Sequence, residues 1–182
     1  MKELSLNILD IAKNSVKAGA DTIEIRLTET DTLLTIAVKD NGCGMTPEFL
    51  AGVTDPFTTT RTTRSVGLGI PLFKLASEQT GGAFSITSRD EASHPADHGT
   101  ETCATFYKNH LDFTPLGDVV SSVVTLIQAD PGIRWIYSHV TPQGSVFMDT
   151  NDLKAVLGEV PLNEPEVIAW IGEYLKEQYE AL

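Results

Sequence analysis

Three polar residues, Asp10, Asn14 and Lys17, recur at i, i+4 and i+7 in a stretch free of Gly and Pro, so a helix there sets a carboxylate, an amide and an ammonium on one face. Taken alone, such a trio reads as a solvated helix face, since polar stripes are what amphipathic helices carry. The second candidate is Asp40-Asn41-Gly42-Cys43-Gly44, which stops an apolar run of Leu33, Leu34, Ile36 and Val38. A carboxylate at a strand end can accept from an exocyclic amine, and Gly42 and Gly44 permit a close approach to a flat or anionic ligand. A plain hairpin turn uses the same residue types. In the third, residues 54–65, Thr60, Arg61 and Arg64 stand in a run of hydroxyls with no acid between the two arginines. That donor-rich stretch suits an anion or, equally, solvent. Val66-Gly67-Leu68-Gly69 follows and opens onto Ile70, Leu72 and Phe73. A Gly-x-Gly at a helix N-terminus leaves backbone N–H groups facing outward, where phosphate binds.

The elements that must position these residues follow from periodicity. Leu4, Ile8, Ile11, Ser15 and Ala18 form an apolar stripe that predicts a first helix over 4–18, ended by Gly19. Residues 21–27 and 33–39 alternate as strands, the second delivering Asp40. Thr46 and Pro47 start a short helix, and Pro71 sits in the first turn of a longer one that ends before Gly81-Gly82. Strands over 83–88 and 100–107 flank a hydrophilic loop. In it His94, Asp97 and His98 have partial metal-ligand spacing, but Pro95 opposes a helix and the stretch reads as a mobile loop. Hairpins with two long helices imply an α+β fold of two layers. From Pro115 onward an apolar helix, a hairpin around Pro142-Gln143-Gly144, a short helix and a final helix read as an added α+β unit with its own core, giving domains 1–110 and 111–182. Trp170 and Tyr174 in the final helix are candidates for partner contact.

Composition sets the outer bounds. The 182 residues are 41% hydrophobic and 21% charged, globular values. Twenty-five acidic against thirteen basic residues give a net charge of -12, which opposes nucleic acid and anionic lipid, so neither is expected as a partner. Cys43 and Cys103 are read as free thiols, and without a leader or long apolar stretch the expected location is cytoplasmic.

Taken in order, Asp10-x-x-x-Asn14, Asp40-x-Gly42-x-Gly44, the Thr/Arg loop with Gly67-x-Gly69, and Gly99-Thr100 before a strand resemble the four sequence boxes of the GHKL ATPase superfamily over residues 3–108. That group includes histidine kinases, anti-sigma-factor kinases, DNA gyrase, heat-shock chaperone ATPases and mismatch-repair ATPases. Asn14-Ser15-Val16-Lys17-Ala18-Gly19-Ala20 is similar to the mismatch-repair branch, whereas Asp55-Pro56-Phe57-Thr58-Thr59-Thr60-Arg61 and the short lid are closer to histidine kinases. The residues after 110 resemble ATP-binding proteins encoded beside iron hydrogenases. The resemblance implies a two-layer sandwich of Bergerat type that binds ATP and Mg²⁺. Asn14 would ligate the metal, Asp40 hold the adenine amine with Thr100 assisting through water, and Lys17 contact phosphate. Gly67 and Gly69 would hinge the lid and approach phosphate, with Leu68 between them at the nucleotide, and in a kinase of this kind Arg61 or Arg64 is expected to act in catalysis by meeting the γ-phosphate.

Two departures from that pattern shape the functional expectation. Where hydrolytic members have a glutamate, this chain has the shorter Asp10, which keeps a base but sets it back. An acceptor histidine on a helix preceding the first box is not expected, because that box begins almost at Met1. The leading expectation is therefore a regulatory protein kinase acting on a separate partner. The alternatives are a slow ATPase whose lid over 54–65 controls partner binding, and a non-catalytic nucleotide sensor. The stretch after 110 is assigned to a partner or to a homodimer contact.

Overall fold

A computed structural model describes residues 3–56 and 67–182. Helix α1 (Leu4–Lys17) is followed by strands β1 (Thr22–Glu29) and β2 (Leu33–Asp40), and by the short helix α2 (Pro47–Gly52). Helix α3 (Gly69–Gln79) then leads into β3 (Phe84–Arg89) and β4 (Gly99–Tyr107). The remainder comprises α4 (Val119–Ala129), β5 (Arg134–Thr141), β6 (Gly144–Asp149), α5 (Thr150–Leu157) and α6 (Pro165–Glu180).

One sheet runs β3-β4-β2-β1-β5-β6. Its pairs are antiparallel except β1 with β5, which run parallel. Alternation separates the faces: Ile23, Ile25 and Leu27 of β1 are buried and face the helices, as do their register partners Asp40, Val38 and Ile36 on β2 and Trp135, Tyr137 and His139 on β5. Glu24, Arg26 and Lys39 lie on the other, more open face, where Arg26 pairs with Glu24 and Glu101. This is the expected two-layer α+β sandwich.

Helices α1 and α3 pack on each other and on the strands that end at the candidate site. The apolar stripe of α1 is buried at Leu4, Ile8 and Ile11, and Ser15 is buried with it. Phe73 of α3 is fully buried against Phe84 and Phe106. The buried core continues without a break into α4, β5, β6 and α6, so residues after 110 extend the same sheet and the same apolar layer.

Helix α4 begins later than its apolar pattern predicts. Asp118 accepts from the Ser121 N–H as an N-cap, while the carbonyls of Pro115 and Leu116 are taken by the first N–H groups of α1, Leu4 and Ser5. The segment before α4 thus closes the N-terminus of the helix that carries Asp10 and Asn14. Cys43 and Cys103 are free thiols. Among the described residues no helix is long and apolar enough to cross a membrane.

Candidate functional site

Asp40 ends β2 next to its register partners Ile23 and Thr100 and is only 9% exposed. Burial of a carboxylate demands donors, and three are supplied. The Gly42 N–H at 2.9 Å and the Thr100 N–H at 3.2 Å donate to Oδ1, and the Ser15 hydroxyl donates to Oδ2 at 2.5 Å. A carboxylate has about four lone-pair positions, so the described residues leave one, on Oδ2, unfilled.

Asp40 lines a cavity walled by Ile11, Ala18, Met45 and Ile70, with Ser15, Gly44, Thr100 and Thr102 around it and Asn14 on the same lining. An apolar slot with one acceptor suits a flat heterocycle bearing an amine. A larger and more open cleft lies toward the other sheet face, lined by Asp21, Glu24, Lys39, Glu91, Asp97 and His98 among others. Its preponderance of carboxylates disfavours an anionic ligand, so shape and charge select the smaller slot.

The loop after Asp40 is fixed from several sides. Cys43 donates through its backbone to the Ala18 carbonyl and accepts from the Glu91 N–H, and Met45 N–H donates to the Ser88 hydroxyl. His98 bonds the Gly42 carbonyl through Nδ1 at 2.6 Å. Since a carbonyl only accepts, Nδ1 carries the proton. Gly44, at φ 69°, passes so close to β3 that a Cβ would fall 2.0 Å from the Arg89 carbonyl oxygen. Gly99, at φ 136°, is equally constrained against the Asp40 carbonyl oxygen. Asn41 turns away and holds the start of β1, accepting from the N–H groups of Asp21 and Thr22.

Helix α3 starts against α1. A Cβ on Gly69 would lie 3.2 Å from Asp10 Cβ and 4.0 Å from Asn14 Nδ2, so the first residue of α3 sits beside both. Its N-cap, Leu68, offers no side-chain hydrogen bond, which leaves the first-turn N–H groups without a side-chain cap. The side chains of Asp10, Asn14 and Lys17 make no hydrogen bond or ion pair among the described residues. Asp10 and Asn14, with no partner among the described residues and beside a helix start without a side-chain cap, form an arrangement that fits a metal-bound polyanion.

The structure therefore brings Asn14, Asp40, Gly44 and Thr100 onto one slot, sets Gly42 against Ala18, and places Gly69 against Asp10 and Asn14. Lys17 is exposed at the end of α1 and does not line the slot, and neither do Gly67 and Leu68. Thr100 reaches Asp40 directly through its backbone N–H, while its hydroxyl pairs with that of Ser88 at 2.8 Å. Thr60, Arg61 and Arg64, with most of the proposed lid, lie outside the described residues. Sequence reasoning missed Ser15 as a site residue and considered His98 only for a metal corner. The signal for Ser15 was a hydroxyl in an otherwise apolar stripe; the contact of His98 with Gly42 had none, because it spans 56 positions.

A two-layer sandwich with a carboxylate-based slot between α1, the Asp40 loop and α3 defines an ATPase-type fold. Residues 2–111 match the family described as histidine kinase-, DNA gyrase B- and HSP90-like ATPase, and the chain belongs to that family. A putative sensor histidine kinase, NtrY-like, of Rickettsia bellii is 26% identical over 91 residues, 50% of this chain and 15% of that protein. The sensor protein SrrB of Staphylococcus aureus is 32% identical over 93 residues, 48% of this chain and 16% of that protein. The chain thus spans about one sixth of the length of these relatives. In fold it is similar to the MutL ATPase domain of Aquifex aeolicus, solved in complex with ADP, with a TM-score of 0.55 at 15% identity, covering 86% of this chain and 69% of that one.

Proposed function

We propose that the chain binds Mg·ATP in the slot at Asp40 and acts as a regulatory kinase, passing a phosphoryl group to a hydroxyl on a separate protein. The observation that carries the nucleotide assignment is the satisfaction pattern of Asp40. Three donors hold the carboxylate in place, one acceptor position stays open among the described residues, and Asp40 lines an apolar cavity, a combination that complements the exocyclic amine of adenine.

Asn14, on the same lining, offers an amide oxygen, a hard ligand suited to Mg²⁺, which takes few protein ligands and keeps several waters. When bound, Mg·ATP supplies a γ-phosphoryl group whose charge the metal partly neutralises. The chain contributes the rest. The uncapped start of α3 presents N–H groups and the positive end of its dipole, and Lys17, Arg61 and Arg64 are assigned to phosphate charge. Asp10, unpaired and beside Gly69, is assigned to take the proton from the acceptor hydroxyl. Relatives named as putative sensor histidine kinases, aligned over half of the chain, favour kinase chemistry. Residues 111–182 are assigned to the partner.

Titration calorimetry with a non-hydrolysable ATP analogue tests the reading. Asp40→Asn replaces part of the acceptor set by a donor and is expected to abolish binding with the fold intact. Wild-type affinity in that variant, or no binding by the wild type, removes the adenine assignment.

A further inference from the structure

Helix α6 has a face that nothing else among the described residues covers. Val167, Ile171 and Leu175 are buried, while Glu166, Trp170, Glu173 and Glu177 recur at i, i+4, i+7 and i+11 on the exposed side. Trp170 is 41% exposed and stacks on Tyr174, with ring centroids 5.8 Å apart and planes at 25°. A tryptophan held flat against a tyrosine is already ordered, so a contact made there loses little side-chain freedom.

The charge around this aromatic pair is one-sided. Eleven acidic and three basic residues lie after position 110. On α6 Lys176 is the sole basic residue, and it is engaged by Glu173. Glu173 and Glu177 repel each other at i, i+4, and with Glu180 they crowd the C-terminal half of the helix, where the backbone dipole already presents negative charge and the last turn holds no basic residue. Both effects oppose the helix, and a cation from outside relieves both. At the other end an open cleft lined by Glu159, Glu164 and Glu166 with Val160 and Val167 continues the face, joining carboxylates to apolar walls.

We propose that this face docks a lysine- and arginine-rich segment of a partner protein. One guanidinium would stack on Trp170, and further cations would meet Glu173 and Glu177 and enter the cleft at Glu166. Charge decides among occupants. Nucleic acid and anionic membranes are repelled, and a second copy meeting the chain through this same face would set carboxylates against carboxylates. The site lies outside the nucleotide slot and stands whether or not ATP binds.

The test uses the full chain and a fluorescein-labelled peptide of arginine, leucine and alanine with arginines at i, i+4 and i+7, compared with a peptide that has glutamate in their place. Anisotropy at low salt should show binding of the first peptide only, weakened by added salt. Trp170→Ala should weaken binding about fivefold, with Trp170→Phe intermediate. Glu166→Lys, Glu173→Lys and Glu177→Lys together should weaken it at least about tenfold. Reversing Asp31, Glu48 and Glu78 to Lys changes the net charge equally and should move affinity by less than about twofold. If the α6 triple variant fails to fold, the two Trp170 variants decide. No binding by the wild type, equal losses in the two triple variants, an unchanged Trp170→Ala, or a sedimenting dimer that Trp170→Ala dissolves would each overturn the proposal.

Discussion

The Ser15 hydroxyl donates to Oδ2 of Asp40 across 2.5 Å, tying the last turn of α1 to the end of β2 inside the layer between helix and sheet. At that length the bond is of the charge-assisted kind, in which a carboxylate accepts from a hydroxyl. Ser15 follows Asn14 directly, so neighbouring residues face two tasks. Asn14 lines the slot with an unpaired amide, and Ser15 orients the slot's acceptor.

Ser15→Ala should therefore act through Asp40. A buried carboxylate losing a donor costs about 1 to 3 kcal/mol, and the vacated position lets the group rotate. We expect a lower unfolding midpoint and roughly tenfold weaker binding of a non-hydrolysable ATP analogue, with Ser15→Thr closer to wild type. Calorimetry and urea titration of the three proteins check this. A stability loss with unchanged affinity would make Ser15 a core residue only.

Asn14→Ala separates metal from nucleotide. The side chain has no partner among the described residues, so its removal leaves no buried group stranded and the fold should hold. If its oxygen serves Mg²⁺, analogue binding should fall about tenfold or more in Mg²⁺ and change little in EDTA. Equal losses in both conditions would assign Asn14 to structure.

Local patterns made most of this legible. The 3.6-residue stripe of α1, the alternation of β1 and β2, Thr46 and Pro47 at the start of α2, and the box order from Asp10 to Thr100 each depend on neighbours a few positions apart. What stayed hidden depends on separation. The parallel pairing of Ile23 with Trp135, which carries the sheet into the C-terminal stretch, has no local signature, since a strand does not announce its neighbour. The same holds for the carbonyls of Pro115 and Leu116 at the start of α1. The Ser15 hydroxyl in the apolar stripe of α1 is a buried polar group that requires a partner, and Asp40 is the acceptor it finds.

The buried group at the far end of the sheet predicts acid lability. His139, 3% exposed, bonds Glu29 through Nε2 at 2.9 Å and the Tyr179 hydroxyl through Nδ1 at 2.7 Å; Tyr137 bonds Tyr179, and Lys108 reaches Glu29 at 2.8 Å. Burial holds His139 below its ordinary value of 6.5, although Glu29 pulls the other way. Burial also pushes the Tyr179 hydroxyl up to about 12, so it stays protonated. Burial alone would raise the Glu29 carboxyl, but the hydrogen bond and charge of Lys108, with His139, keep it below 4.5. Below pH 6.5 the unfolded chain therefore binds a proton at His139 more readily than the folded one, and stability declines as pH falls. The contribution of Glu29, full above 4.5, is lost as pH falls further through its folded value. Urea midpoints across this range should drop from pH 6.5 downward. His139→Gln, which can still donate to Glu29 but does not titrate, should flatten the upper part of the decline; an unaltered profile would place the acid sensitivity elsewhere.

Asp10 decides between transfer and hydrolysis. Its Cβ lies where α3 begins, 3.2 Å from the position a Cβ on Gly69 would take, and its carboxylate has no partner among the described residues. A general base contributes ~10² to 10⁴-fold, about 3 to 5 kcal/mol of barrier, but only within hydrogen-bond reach of the proton it takes. Aspartate is one methylene shorter than glutamate, so water placed for the longer side chain is out of line, while a serine or threonine on a docked partner can approach the shorter one. Asp10→Asn should leave analogue affinity within about twofold and remove phosphotransfer to the partner, and Asp10→Glu should raise partner-independent phosphate release. Phosphate release and label transfer are to be followed for the wild type and both variants, with and without partner. Rapid hydrolysis by the wild type alone, with no gain in Asp10→Glu, would favour an ATPase. Activity unchanged in Asp10→Asn would reduce Asp10 to a polar helix position and favour a nucleotide-sensing module over a kinase.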